Sequence, residues 1–408
     1  MKLHHFASPA LALLLAATLP IHAADPVVAN VVSTQRAGAK LVDISFDVSD
    51  ADSDTLWMSV EISDDLGTSF IVPVTAVSGD TRISATPTPT SKALVWDASV
   101  DFNQQSNDTM MVRVIASDTS VPPGMALIPA GPFAMGDGTG AGLSEELPVH
   151  SVTISAFYLD KKEVTEALWD SVRTWALAHD YTGSGLPDRG VGNGADHPAQ
   201  WVNWFTVVKW CNARSEKEGL TPVYYNEAGF TTSYRSGEAV PFPDWTANGY
   251  RLPTEAEWEK ASRGGLVGLN YPWGGNSLDA SDDINYGNAN YKGSRDPLET
   301  LNPLLVTSPA GYYTPNQFGL HDMSGNVFEW CWDWYDPLYY DSAAAIQPDP
   351  RGGTGERFRS DGTLLSEVRV IRGGMFTQNL WLLRCAYRLY DDPGDNTFWI
   401  GFRSARGL

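Results

Sequence analysis

Across residues 120–408 only three stretches of the chain have the period of an amphipathic helix, and that scarcity limits the fold more than any other feature. In "EVTEALWDSVRTWALAH" the residues Val164, Leu168, Val172 and Trp175 fall on one face. "WFTVVKWCNARSEKEGL" runs to Gly219, a residue suited to close a helix. "RLPTEAEWEKASRGG" carries Thr254 as N-cap with Glu257 three residues on, a capping box, and stops at Gly264 and Gly265. All but two of the 15 Trp (Trp57 and Trp96) lie after residue 120, amid much Gly, Asn and Tyr. The pattern predicts an α+β domain of short strands and ordered loops, held by aromatic packing instead of regular layers.

The region before it has a different period. In "LVDISFDVSD" Val42, Ile44, Phe46 and Val48 alternate with Asp43, Ser45 and Asp47, and "LWMSVEIS" repeats the alternation with Leu56, Met58, Val60 and Ile62. "FIVPVTAV", "ALVWDA" and "MMVRVIA" are further strand candidates, and the spacing of the turns predicts an all-β immunoglobulin or fibronectin-type sandwich over residues 24–119. Asp50, Asp52 and Asp54 alternate in a loop that lacks the Gly and Glu of an EF-hand, which makes it an acidic solvated turn. "SDTSVPPG" reads as the linker, stiffened by Pro122 and Pro123.

Residues 1–23 combine Lys2 in the leader, an apolar run through Leu11, Leu13, Leu14, Leu15 and Leu19, and "IHA" before Ala24, the pattern of a secretory signal. The expected location is therefore exported: periplasmic, secreted or cell-surface. No stretch is long and apolar enough to span a bilayer as a helix. The net charge of -21 argues against a partner that is nucleic acid, which needs a positive field. Three cysteines, Cys211, Cys331 and Cys385, cannot all be paired within one chain, so stability is expected from packing.

Several motifs together resemble one family. "GMALIPAGPFAMG", "HPAQWVNWFTVVKWCN", "GYRLPTEAEWEKASRGG", "YPWGG", "NQFGLHDMSGNVFEWCWDWY", "RVIRGG" and "GFRSAR" are similar to the formylglycine-generating enzymes, also called sulfatase-modifying factors. The resemblance runs from about residue 122 to the end and implies a compact fold of the C-type lectin kind. Enzymes of that family oxidise a sulfatase cysteine with a copper-binding cysteine pair. Here the matching segment, Met375 to Trp381, contains no cysteine, and the nearer catalytic position falls on Leu380. Copper is not expected at a site without thiolates. The resemblance would pair Cys211 with Ser404 and Cys385 with Ser262, and neither disulfide can form. His150, His179, His197 and His321 show no metal-ligand spacing and are expected to be structural or solvated.

The resemblance also implies a structural calcium ion. "DMSGNVFE" would supply the Asp322 and Glu329 carboxylates and the Gly325 and Val327 carbonyls. A second site would begin at Asn290 and Tyr291, with Asp296 as a weak later ligand.

The last segment, residues 372–403, resembles the variable proteins of diversity-generating retroelements. Its framework reads Arg372-Gly373-Gly374, Arg384, Ala386-Tyr387-Arg388, Pro393 and Gly401-Phe402-Arg403. Between these anchors stand Phe376, Thr377, Gln378, Asn379, Trp381, Leu382, Leu389, Tyr390, Asp391, Asp392, Thr397, Phe398 and Trp399, which follow no strand or helix period. Those thirteen positions are the candidate ligand-binding residues. Phe376, Trp381, Tyr390, Phe398 and Trp399 are expected to project as anchors for a protein or glycan ligand, while Tyr387 and Phe402 belong to the core. Two readings stand: an exported binding protein with a recognition face at its C-terminal end, and a formylglycine-generating or related metal-dependent oxidase.

Overall fold

The computed structural model describes residues 26–37, 39–50, 55–63, 72, 74, 76–84, 86–101, 110–117, 121–181, 194–278, 287–292, 307–353 and 367–408. The expected signal at 1–23, Asp52, Asp54, Asp296 and linker residues 118–120 lie outside them.

The alternating sequence of the N-terminal region forms two antiparallel sheets. Strands β1 (Val27–Gln35), β2 (Leu41–Ser49), β3 (Thr55–Ser63), β4 (Val77–Gly79), β5 (Arg82–Ser84), β6 (Thr90–Asp97) and β7 (Met111–Ser117) are joined by a single-turn helix α1 (Ala98–Asp101) after β6. One sheet has the order β1-β2-β6-β4 and the other β5-β3-β7. Every second residue points into a shared core of Ile44, Phe46 and Val48 from β2, Leu56, Met58, Val60 and Ile62 from β3, and Leu94 and Trp96 from β6. Of "FIVPVTAV" only Val72, Val74, Ala76 and Val77 are among the described residues: Val72 makes a bridge to Ile62, Val77 opens β4, and the remainder of that strand candidate lies outside them.

The C-terminal region is mixed α and β with few helices. Its strands are β8 (Met125–Ile128), β9 (Gly131–Met135), β10 (His150–Ile154), β11 (Phe157–Asp160), β12 (Tyr224–Tyr225), β13 (Phe242–Pro243), β14 (Tyr250–Arg251), β15 (Phe328–Trp334), β16 (Arg369–Arg372), β17 (Leu389–Asp391), β18 (Ile400–Gly401) and β19 (Ala405–Gly407). Its helices are α2 (Glu166–Leu177), α3 (Trp204–Lys217) and α4 (Glu255–Arg263). One sheet, β14-β19-β11-β8, sets the last strand of the chain between β14 and β11. The other, β17-β16-β15-β18, is built largely from the C-terminal segment, with β18 parallel to β15.

The three helices form where their sequences predict, with one rotated face. Thr165 caps α2 by accepting from the Leu168 N–H, but the buried side is centred on Trp169, Val172 and Ala176. Leu168 and Trp175, expected on that side, are only partly buried. Trp169 takes the centre because it stacks on Trp210 at 5.8 Å and meets Phe402 edge-on. α3, capped by Asn203, is buried around almost its whole circumference, as a helix with a low-polarity N-terminal half must be. α4 has the capping box of Thr254 and Glu257 and ends at Gly264 with φ 58°, a left-handed conformation that favours glycine.

Candidate ligand-binding face

The C-terminal segment divides cleanly by burial. Arg372, Arg384, Arg388 and Arg403 are fully enclosed, and each guanidinium grips a carboxylate from elsewhere in the domain. Arg372 pairs with Glu259 and Arg388 with Glu255, so helix α4 holds two of them. Arg384 pairs with Glu146 in the short turn after β9, and Arg403 with Glu329 on β15. The pairs at Glu146, Glu255 and Glu329 are bidentate, with the Arg388 Nε–Glu255 Oε1 contact at 2.6 Å and the Arg403 Nη2–Glu329 Oε1 contact at 2.6 Å. Burial works against ionisation of Glu259, yet the charges of Arg263 and Arg372 hold its carboxyl below the usual range. Arg372 also donates to the Tyr387 and Ala386 carbonyls at 2.6 and 3.0 Å, which ties two stretches of the tail together.

Glycine is required where the frame turns. Gly374 has φ 78°, and a Cβ there would stand 2.9 Å from the Leu382 carbonyl oxygen. Pro393 is buried, and its carbonyl accepts the first N–H of α3, from Trp204, at 3.0 Å.

The thirteen candidate positions are placed differently. Asn379, Tyr390, Asp392 and Phe398 are exposed, and Thr377, Gln378, Trp381, Leu382, Leu389, Asp391, Thr397 and Trp399 are half-buried. Phe376 is a correction: it is 5% exposed and does not project. Its N–H donates to the Asn326 carbonyl, which draws the ring inward beneath Phe398, at 6.3 Å between centroids. Trp381 and Trp399 fall short of the full projection expected of them. The Trp381 indole donates to the Ala141 carbonyl at 3.0 Å and its ring packs on Tyr387, while Trp399 meets Phe328 edge-on at 5.7 Å. Tyr387 and Phe402 are core residues, as expected.

The exposed positions are not one continuous patch. Tyr390 lies on edge strand β17 and packs against Tyr335, whereas Phe398 and Trp399 lead into β18 at the opposite edge. Three strand spacings, about 14 Å, separate those edges.

A further member of the face is not visible in the sequence. Trp201 is 40% exposed in a left-handed conformation, φ 59°, beside the 45% exposed Phe398, with ring centroids 6.0 Å apart. Its N–H donates to the Thr397 carbonyl at 2.9 Å, and the Gln200 side-chain amide donates to the Phe398 carbonyl. Trp201 in "HPAQWVNW" stands before the helix that Trp204 opens and belongs to no periodic set, so only the fold brings it to the tail.

The calcium expectation meets a specific obstacle. Both Glu329 oxygens are engaged, Oε1 by Arg403 and Oε2 by Arg403 and the Trp258 indole at 2.8 Å, so this carboxylate serves as the counter-ion of Arg403. Asp322 Oδ2 accepts the Gly311 N–H at 2.5 Å, and the Asn290 carbonyl accepts the Asn326 N–H at 2.9 Å. Gly325 donates its N–H to Gly373, Val327 is buried, and Tyr291 packs in a cluster with Tyr271 and Leu380. Of the donor set expected from "DMSGNVFE", Glu329 is therefore already engaged by Arg403 and Trp258. Asp322 Oδ1 and Glu163 Oε2 are buried and meet no N–H donor, but the two carboxyl groups hydrogen-bond to each other; burial, and then the Asp322 charge, raise the Glu163 carboxyl well above its usual range. Among the described residues no three His, Cys, Asp or Glu are gathered as a metal centre, and no helix is long and apolar enough to cross a membrane. The histidines stay apart, His197 on Thr307 and His321 on the Tyr313 carbonyl.

Residues 112–408 match the sulfatase-modifying factor enzyme 1-like domain. The chain belongs to the sulfatase-modifying factor family. Within it, the formylglycine-generating enzyme of Streptomyces coelicolor is 32% identical over 309 residues, covering 69% of this chain and 88% of that protein. The serine/threonine-protein kinase pkn1 of Chlamydia pneumoniae is 30% identical over 305 residues, 70% of this chain but only 38% of that protein. Among solved structures, Treponema denticola variable protein 1 superposes with a TM-score of 0.54 at 26% identity, covering 71% of this chain and 98% of that one. The resemblance of the tail to variable proteins thus extends to the fold of the whole family domain.

Proposed function

We propose that this chain is an exported ligand-binding protein that uses a sulfatase-modifying-factor scaffold to present the exposed and half-buried side chains between Thr377 and Trp399, together with Trp201, to a ligand. The observation that carries this reading is the division of the tail: four arginines locked to glutamates below, and polar or aromatic side chains of no fixed period above. Such a frame lets the outward side chains change without disturbing the core, which suits recognition. The likeness to Treponema denticola variable protein 1 supports the same reading. The N-terminal sheets would serve as an immunoglobulin or fibronectin-like spacer.

The alternative is the activity named for the Streptomyces coelicolor relative. Against it stands the sequence, in which Met375 to Trp381 has no cysteine. Cys211, Cys331 and Cys385 are buried, and burial raises their thiols, the opposite of a reactive thiolate. Two experiments separate the readings. A near-repeat of the coding segment for 372–408 in the flanking DNA, differing at adenines and beside a reverse transcriptase gene, is expected. Purified protein reloaded with copper and given a Cys-x-Pro-x-Arg peptide is expected to show no turnover above the metal-free blank; turnover would overturn the binding reading.

A further inference from the structure

The tail is not electrically neutral on its outward side. Asp391 at the end of β17 and Asp392 and Asp395 in the loop after it stand close together, and none of them has a cation within salt-bridge distance among the described residues. Their local bonds are to backbone alone: Asp391 Oδ1 accepts the Asp392 N–H, Asp392 Oδ1 accepts the Gly394 N–H, and Asp391 Oδ2 accepts nothing. Burial, followed by the charges of Asp395 and Asp392, raises the Asp391 carboxyl above its usual range. The arginines of the segment cannot neutralise them, because Arg372, Arg384, Arg388 and Arg403 are enclosed and already paired with glutamates. Lys292 touches the segment through its N–H to the Gln378 carbonyl, on the Thr377–Asn379 stretch.

The same loop is fastened to the exposed ring pair. Pro393 and Gly394 offer their carbonyls to Trp204 and Asn203, while Thr397 offers its carbonyl to Trp201. Three uncompensated carboxylates and the rings of Trp201 and Phe398 therefore share one rigid base, on a chain of net charge -21. Carboxylates select cations, and exposed indole and phenyl faces attract guanidinium and ammonium groups while taking up their alkyl stems.

We infer that the ligand of this face is a basic polypeptide, engaged through several Arg or Lys side chains, some laid on the rings of Trp201 and Phe398 and others paired with Asp391, Asp392 and Asp395. The inference rests on the binding reading above and adds the chemistry of the partner. An acidic glycan or a nucleic acid would meet unbalanced negative charge there.

A random 12-residue peptide library displayed on phage and panned on the full-length protein tests this. The selected peptides should be enriched severalfold in Arg and Lys over the input. A synthetic copy of one should lose at least about tenfold in affinity with Asp392→Asn combined with Asp395→Asn, and again with Trp201→Ala, and should weaken as salt rises. All three positions are exposed, and circular dichroism of the variants should match the parent. Neutral or acidic peptides that still depend on Trp201 and Phe398 would overturn the basic-partner inference and leave the binding face standing. Selected peptides that bind a Trp201→Ala/Phe398→Ala variant as well as the parent would overturn the face itself.

Discussion

Replacing Glu329 by Gln removes one charge at nearly constant shape from a fully enclosed ion pair of the tail. Glu329 and Arg403 are both fully buried, joined by contacts of 2.6 and 2.7 Å, with the Trp258 indole on Oε2 at 2.8 Å. Gln keeps one acceptor oxygen and turns an N–H2 toward guanidinium donors, so Arg403 is left as a buried cation without its direct counter-ion. Breaking one partner of such a pair costs about 3–5 kcal/mol. The charges of Glu163 and Asp322 also act on Arg403, which sets the expectation at the lower end, about 3 kcal/mol. For a domain of this size that is a fall of about 6–10 °C in Tm, measurable by calorimetry or circular dichroism. The double replacement Glu329→Leu/Arg403→Met should recover most of the loss, because an apolar pair of similar volume needs no counter-ion. The assay is run with calcium and with EDTA. If Glu329 bound calcium, EDTA would lower the Tm of the parent and leave the variant unmoved. The ion pair predicts instead the same EDTA response in both. A loss under about 1 kcal/mol, or an EDTA response abolished by Glu329→Gln, refutes the counter-ion assignment.

Lys260 supplies a pH test: burial holds its ammonium down to about 8, and its Nζ donates to the Gly131 carbonyl. Because the unfolded chain keeps that proton up to about pH 10.4, it binds more protons between about pH 8 and 10, so stability should rise with pH in that window and Lys260→Met should flatten the rise in urea titrations. Ser262 Oγ lies 3.3 Å from Cys385 Sγ, so Ser262→Cys should oxidise to a disulfide, read as loss of one titratable thiol pair and a Tm that falls on adding reductant. Gly325 has φ 84°, and a Cβ there would stand 2.4 Å from the Asn290 carbonyl oxygen; Gly325→Ala should cost more than about 2 kcal/mol in denaturant unfolding.

Helices α3 and α4 were legible because their signals are local. A capping box or a helix-ending glycine acts through bonds spanning three or four residues, and Thr254, Glu257 and Gly264 behave in the fold as their spacing requires. The alternation in β2 and β3 was legible for the same reason, since pleat geometry alone assigns sides. The rotated face of α2 was not, because Trp169 is drawn inward by Trp210 and Phe402, which lie far along the chain.

Order along the chain was enough for the family, the three helices, the split between an alternating N-terminal region and a loop-rich remainder, and the two interleaved sets of residues in the tail. Tertiary structure alone decided what those residues do. It gave Glu329 to Arg403, turned Phe376 inward under Phe398, and brought Trp201 to the face from some two hundred positions upstream. The physical reason is that a side chain's role in a loop-built domain depends on partners distant in sequence. Charge pairing and aromatic contact act over a few ångströms in space, and no spacing along the chain encodes which groups will meet there.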